Sequence, residues 1–333
     1  MRLDHLAFVT DRLADSVVAN GQDAAFVWGN EWSCLGSRQF VLSGDEIERH
    51  AQLHDGPVPG TVLSGSIINA GFHLGYWAGR NTLVVTEHSQ PTIHCFRNGK
   101  HTRSLEHPAF ERAVCCGSGD TLWVAGSISR RFARLDGAGR LEMEFTLESL
   151  GVGSESVSRI VACKVWNGRL YIIGDYSVKN HPRLVFSVDA ETLGDLRHHV
   201  AGPLFLPREF VETEQGLALG DSWFPSLATM GLETRAPKTV FRTSLPQSPK
   251  GYLCCGGLVV VATNHEISIC DRRGVVVGVC RLSGPERVVQ MIAIPGGVCV
   301  LRADGAPVTL IPLEFLLSIP SADLGRGETS PCA

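Results

Sequence analysis

Residues 256–274, GGLVVVATNHEISICDRRG, carry the reading that decides the fold. Gly256-Gly257 suits a tight turn, and Leu258-Val259-Val260-Val261 is a short branched apolar run of the kind buried on both faces of a sheet. A polar stretch, Asn264-His265-Glu266, separates this run from Ile267-Ser268-Ile269-Cys270, a second strand pattern. Asp271-Arg272-Arg273-Gly274 is then a turn into a further strand. Strand, glycine turn, strand, polar turn, strand, Asp/Asn-Gly turn, strand is the plan of a four-stranded propeller blade.

The same pattern extends in both directions. Apolar runs begin at Leu83, Leu122, Leu170, Leu217, Leu258 and Val298, spaced 39, 48, 47, 41 and 40 residues apart, which is the period of propeller blades. Gly or Asn turns precede each run, among them Gly79-Arg80-Asn81, Asn167-Gly168 and Gly296-Gly297. Third strands follow at Thr92–Phe96, Phe132–Leu135 and Leu184–Val188. The expectation is therefore an all-β chain forming a single β-propeller of six or seven four-stranded blades over 1–320, with regular repeats at 61–318. Phe26-Val27-Trp28 and Phe40-Val41-Leu42 favour seven, through an irregular N-terminal blade at about 1–60. First and last blades should share strands, because a closed ring leaves fewer unpaired edges. Two separate β domains are the rival reading, disfavoured because the period runs from about 83 to 300 without a linker. Ser321 to Ala333 has no apolar period and reads as a flexible tail. The Gly-His…Trp-Asp and kelch signatures are both missing.

Composition agrees with this reading. Among 333 residues, 36 are Gly and 17 Pro, too many breaks for long helices. Hydrophobic residues make up 44% and charged residues 19%, enough for a large core. The 34 acidic and 30 basic residues give a net charge of -4, so no global field draws the chain to nucleic acid or an anionic membrane. No membrane span is expected, since no run approaches 18 apolar residues. Asp4 and Asp11 interrupt the N-terminal apolar stretch, which argues against a secretory signal and for a cytoplasmic location. The eleven cysteines, including the vicinal pairs Cys115-Cys116 and Cys254-Cys255, are then expected to be reduced and mostly buried, with Cys332 the exception. No metal-binding spacing or cofactor fingerprint occurs, so neither a metal nor a cofactor is expected.

Repeat position predicts where functional residues sit. In each blade the innermost strand starts at one face of the ring, and the loop from second to third strand returns to it. Those loops offer Glu87, His88, Asp175, Asp221 and His265 as acid-base candidates, with Asn264 and Trp223 as ligand contacts. Solvated turn residues are the plainer reading of the same loops. Near the innermost strand starts stand His73, Arg112, Arg159, Arg208, Lys250 and Arg287, one per repeat. Arg112, Arg159, Arg208 and Arg287 could form a ring that binds a carboxylate or phosphate, for which a planar guanidinium is suited. Alternatively Glu111, Glu209 and Glu286, each adjacent to one of these bases, pair with them between blades. Two classes of function stay open. One is a binding or interaction platform working through the channel mouth, where a small anionic ligand or a protein partner would dock. The other is an enzyme acting on an anionic metabolite in the central funnel.

Overall fold

The computed structural model describes residues 71–319, apart from 154–155, 177–182, 201–205, 233–238, 244, 246, 283, 285 and 304–307. It also describes strand segments at 16–20, 23–28, 31–35, 40–42 and 52–54, and positions 58 and 61–63. The described chain is nearly all antiparallel sheet.

Six four-stranded blades form the propeller. Their innermost strands are Gly71–Trp77, Ala113–Ser118, Val157–Trp166, Pro207–Thr213, Gly251–Cys255 and Val288–Ile294, in blades I to VI. Each expected apolar run is the second strand of its blade: Thr82–Glu87, Thr121–Gly126, Arg169–Tyr176, Gly216–Asp221, Leu258–Ala262 and Gly297–Arg302. Their burial on both faces explains the unbroken Val/Leu/Ile character, since one face of a blade packs on the blade before it and the other on the blade after. Val84 belongs to the core shared with Cys115 and Leu122 of blade II, whereas Leu83 and Val85 pack with Cys299 and Leu301 of blade VI.

The innermost strands touch in sequence around the ring, and the strand of blade VI meets that of blade I directly. No place is left for a seventh blade. The strands at 16–42, which favoured that count, form a four-stranded antiparallel sheet of their own, and none of them pairs with a blade strand. Closure instead comes from Thr61–Val62, which supplies the outer strand of blade VI by pairing with Thr309 and Leu310. Gln52–His54 adds a parallel fifth strand to blade V. The tail expected at 321–333, with Cys332, lies outside the described residues.

Near the axis the blades come so close that side chains are excluded. A Cβ on Gly75 would lie 2.9 Å from the Cys115 carbonyl oxygen of the next blade. Every blade interface is also bridged by a hydrogen bond. Thr86 Oγ1 donates to Ala113 O at 2.7 Å, Ser127 Oγ to Ile160 O at 2.6 Å, and Arg183 Nη1 to Pro207 O at 2.8 Å. Tyr252 OH donates to Phe224 O at 3.1 Å, Val288 N to Asn264 O at 2.7 Å, and Leu74 N to Gln290 Oε1 at 2.7 Å. Each contributes roughly 0.5–1.5 kcal/mol net.

Of the nine cysteines whose side chains are described, seven are buried, Cys254 and Cys255 are half-buried, and all nine are free thiols. Cys115 and Cys116 belong to different cores on opposite faces of their strand, as pleat alternation requires. Among the described residues no helix is long and apolar enough to cross a membrane.

Candidate functional site at the channel mouth

The innermost strands of blades I, III, IV and VI share an irregularity near their starts. Pairing with the second strand shifts register between Gly71 and His73, Val157 and Arg159, Pro207 and Glu209, and Val288 and Gln290. A regular strand turns successive side chains to opposite faces, but a bulge re-aims one of them. Phe72 with His73, Arg208 with Glu209, and Val289 with Gln290 consequently all line one cavity of about 250 Å³ at the mouth of the channel. Arg159 and Arg183 of blade III and Ser222 of blade IV complete its polar wall. His73, Ala162, Glu209 and Gln290 also line a second space of about 560 Å³ further along the inner strands, so they mark a waist between the two.

Three arginines converge here. Asp175 bridges two of them, one carboxylate oxygen pairing with Arg159 and the other with Arg183. Arg183 also reaches Ser222 Oγ at 2.8 Å. Arg208 donates to Val289 O at 2.6 Å and, among the described residues, has no carboxylate within ion-pair distance. Burial lowers its pKa, with Glu209 acting in the opposite sense and Arg183 in the same sense.

Neutral groups occupy the waist. Burial, and then the charge of Arg208, pull His73 down to about 3, so it is an uncharged imidazole near neutral pH. Gln290 presents its amide nitrogen to His73 Nε2 at 3.1 Å, because its oxygen is engaged by the Leu74 N–H. Burial pushes Glu209 up to about 7 against the opposing effects of Arg208 and the Tyr252 backbone. Its Oε1 is fully buried and has no hydrogen-bond partner among the described residues.

Of the ring of bases read from the repeat, His73, Arg159 and Arg208 line the cavity. Lys250 lies close enough to Arg208 and Arg287 for their charges to add to burial in lowering its pKa. Arg287 is itself exposed and outside the cavity wall. Arg112 lies across the seam between blades I and II, donating to His88 O at 3.2 Å. Among the described residues none of Glu111, Glu209 and Glu286 pairs with a base of a neighbouring blade: Glu286 faces Arg302 of its own blade at 3.9 Å, and Arg159 pairs within its own blade.

The loop candidates separate in the same way. Asp175 reaches the arginine cluster. Glu87 does not: it is buried inside blade I against His94 Nε2 at 3.2 Å. His94 Nδ1 in turn lies 2.9 Å from Ser104 Oγ. His88 is exposed, its ring edge-on to Phe72 at 5.7 Å, and His265 is exposed. Asp221 is buried and accepts from the backbone N–H groups of Trp223, Phe224 and Leu206 at 2.6, 3.2 and 3.3 Å, so it shapes its loop. Burial lifts it to about 6 despite those bonds. Asn264 makes its seam contact through its carbonyl, and Trp223 is 53% exposed on the rim. Arg183 and Gln290 were not singled out from the sequence. Arg183 lies just before a third strand, outside the repeat positions considered, and Gln290 is turned inward by a bulge that two-residue alternation does not reveal.

Among the described residues no group of three or more His, Cys, Asp and Glu side chains could hold a metal ion. Asp175 is held between two cations, and Glu209 stands at the waist.

No protein-family model matches the chain, and no curated protein matches it in sequence. Solved structures do resemble it in shape. A calcium-binding protein, regucalcin, from Agrobacterium tumefaciens aligns at 14% identity over 78% of this chain and 95% of that one, with a TM-score of 0.58. A gluconolactonase from Xanthomonas campestris aligns at 13% identity over 90% and 98%, TM-score 0.57. Virginiamycin B lyase from Staphylococcus aureus aligns at 12% identity over 77% and 99%, TM-score 0.53. At these identities the likeness establishes one property of the chain, its propeller architecture.

Proposed function

We propose that this propeller binds a small anionic metabolite in the cavity at its channel mouth, gripped by Arg183 and Arg208 with Arg159 at the entrance. One observation carries the reading: three guanidinium groups line a single cavity of about 250 Å³ while one carboxylate, Asp175, is ion-paired with two of them, leaving Arg208 without a carboxylate partner among the described residues. Like charges held together in a poorly solvated site are costly, and a bound carboxylate or phosphate relieves that cost through charge-assisted hydrogen bonds. The cavity has room for roughly eight waters at about 30 Å³ each, which sets the ligand at small-metabolite size.

Titration calorimetry with short carboxylates and inorganic phosphate tests this. Arg208→Gln should weaken binding about ten- to a hundredfold, since a hydrogen bond to a charged group contributes roughly 1.5–3 kcal/mol. Arg287→Gln, outside the wall, should leave it unchanged. Failure of every anion to bind, or equal effects of the two substitutions, overturns the reading. A second reading, a protein-docking face, rests on the exposed Trp223 and on Ile128, 50% exposed in the corresponding loop of blade II. Loss of a partner on Trp223→Ala with anion binding intact would favour it.

A further inference from the structure

The cavity has two chemically different ends. The mouth carries Arg159, Arg183 and Arg208, while the waist carries Glu209, the amide of Gln290 and the neutral ring of His73. Two of the waist groups are engaged. The Gln290 oxygen accepts from Leu74 N at 2.7 Å, and its nitrogen lies 3.1 Å from His73 Nε2. Glu209 is the exception, because its Oε1 is buried without a hydrogen-bond partner among the described residues. A buried acceptor left unmade costs roughly 1–3 kcal/mol. Such a cost at a cavity wall points to a donor that arrives with a ligand.

The Tyr252 backbone N–H also bonds this carboxylate, yet among the described residues no donor reaches Oε1. The charged and titratable groups facing Glu209 are Arg208 beside it, Tyr252 and Cys254 on the innermost strand of blade V, and His73 across the waist. Arg208 is directed to Val289 O, and the Tyr252 hydroxyl to Phe224 O.

Resting on the anion-binding reading above, we infer that the ligand is a short bifunctional acid: one end is an anion held by the arginines, and the other is a hydroxyl or ammonium that donates to Glu209. The shared chemistry is a hydrogen-bond donor a few atoms from a carboxylate. Its two sources, hydroxy acids and amino acids, are told apart by charge. A neutral side-chain amide can still accept from a hydroxyl, whereas an ammonium needs the carboxylate.

The test uses the intact protein and three acids of equal length: butyrate, 4-hydroxybutyrate and 4-aminobutyrate, with the three-carbon series beside them. At least one donor-bearing acid should bind ten times or more tighter than the plain acid of its length. Glu209→Leu should remove that preference while plain acids still bind. Glu209→Gln should keep the preference for a hydroxy acid and lose it for an amino acid. Equal affinity of plain and donor-bearing acids for the wild-type protein overturns the inference, and that comparison needs no variant to fold. Survival of the preference in Glu209→Leu overturns it as well. Plain acids binding without preference sinks this inference alone, whereas failure of every acid and of phosphate sinks the anion reading and this inference with it.

Discussion

The backbone N–H of Leu74 donates to the side-chain Oε1 of Gln290, 2.7 Å away, joining the first blade to the last. The bond spans 216 residues of sequence and makes Gln290 both a wall of the cavity and a fastener of the ring. Gln290→Leu fills similar space but offers no acceptor, leaving the Leu74 N–H unsatisfied. The expected cost is roughly 1–3 kcal/mol in denaturant unfolding, and Gln290→Glu, which retains an acceptor, should cost less. Equal losses for the two variants would show that the bond is immaterial to closure.

Glu209 makes stability fall with rising pH. Its carboxyl is lifted from the ordinary 4.5 to about 7 by burial, so the folded chain holds a proton that the unfolded chain releases between those values. Stability from this group is intact below about pH 4.5 and is lost as pH rises through 7, by on the order of 3 kcal/mol. Asp221 acts in the same sense between 3.8 and about 6, while His73, lowered to about 3, acts in the opposite sense below 6.5. Both remain in Glu209→Gln, so the difference between variant and wild type isolates Glu209. The variant should melt higher at pH 8 and nearly the same at pH 5. A constant difference across that range would refute the assignment.

Tyr252 anchors the rim loop from the neighbouring blade. Its hydroxyl donates to Phe224 O at 3.1 Å and accepts from Ser226 N at 3.2 Å. Tyr252→Phe removes the hydroxyl from both bonds and leaves the two buried backbone groups without it, although Ser226 N still donates to Phe224 O at 2.7 Å. A loss of about 1–2 kcal/mol is expected, read as a lowered melting temperature. An unchanged melting temperature would mean that Asp221 and the backbone bonds of the loop suffice to hold it.

Ring closure by Thr61–Val62 gives a truncation test. A chain beginning at residue 51 keeps this strand and the parallel Gln52–His54, and should unfold cooperatively near the wild-type temperature. A chain beginning at residue 65 exposes the edge of blade VI, and should melt lower and associate through the unpaired strand. Identical melting of both truncations would remove closure from the account.

The blades were legible because second strands are buried on both faces, which writes an unbroken apolar run every forty-odd residues. The count of six was not. Apolar triplets such as Phe26–Trp28 show that a strand exists but not which sheet it joins. The outer strand of the last blade is two residues long, too short to leave a pattern. At the site, the recurrence of a base near each inner-strand start located Arg159 and Arg208, yet equal spacing did not mean equal orientation. Arg112 turns along a seam and Arg287 to solvent, because both stand just before their strands begin, Arg112 at a φ of 47°, where pleat alternation does not set the direction of a side chain. Glu87 looked like a mouth residue by position and is buried instead, since its face of the strand meets His94.

Closure by a strand from the N-terminal region also sets a schedule. Val62 leaves the ribosome roughly 250 residues before its partner Thr309. At about 5–20 residues per second, the first strand of the clasp waits on the order of ten to fifty seconds for its mate. During that interval blade I can gain its neighbour on one side only, and the arginines of blades III and IV come together before the channel beneath them has a complete wall. The cavity and its waist are thus finished in a single late event, when the last blade arrives and Gln290 reaches Leu74.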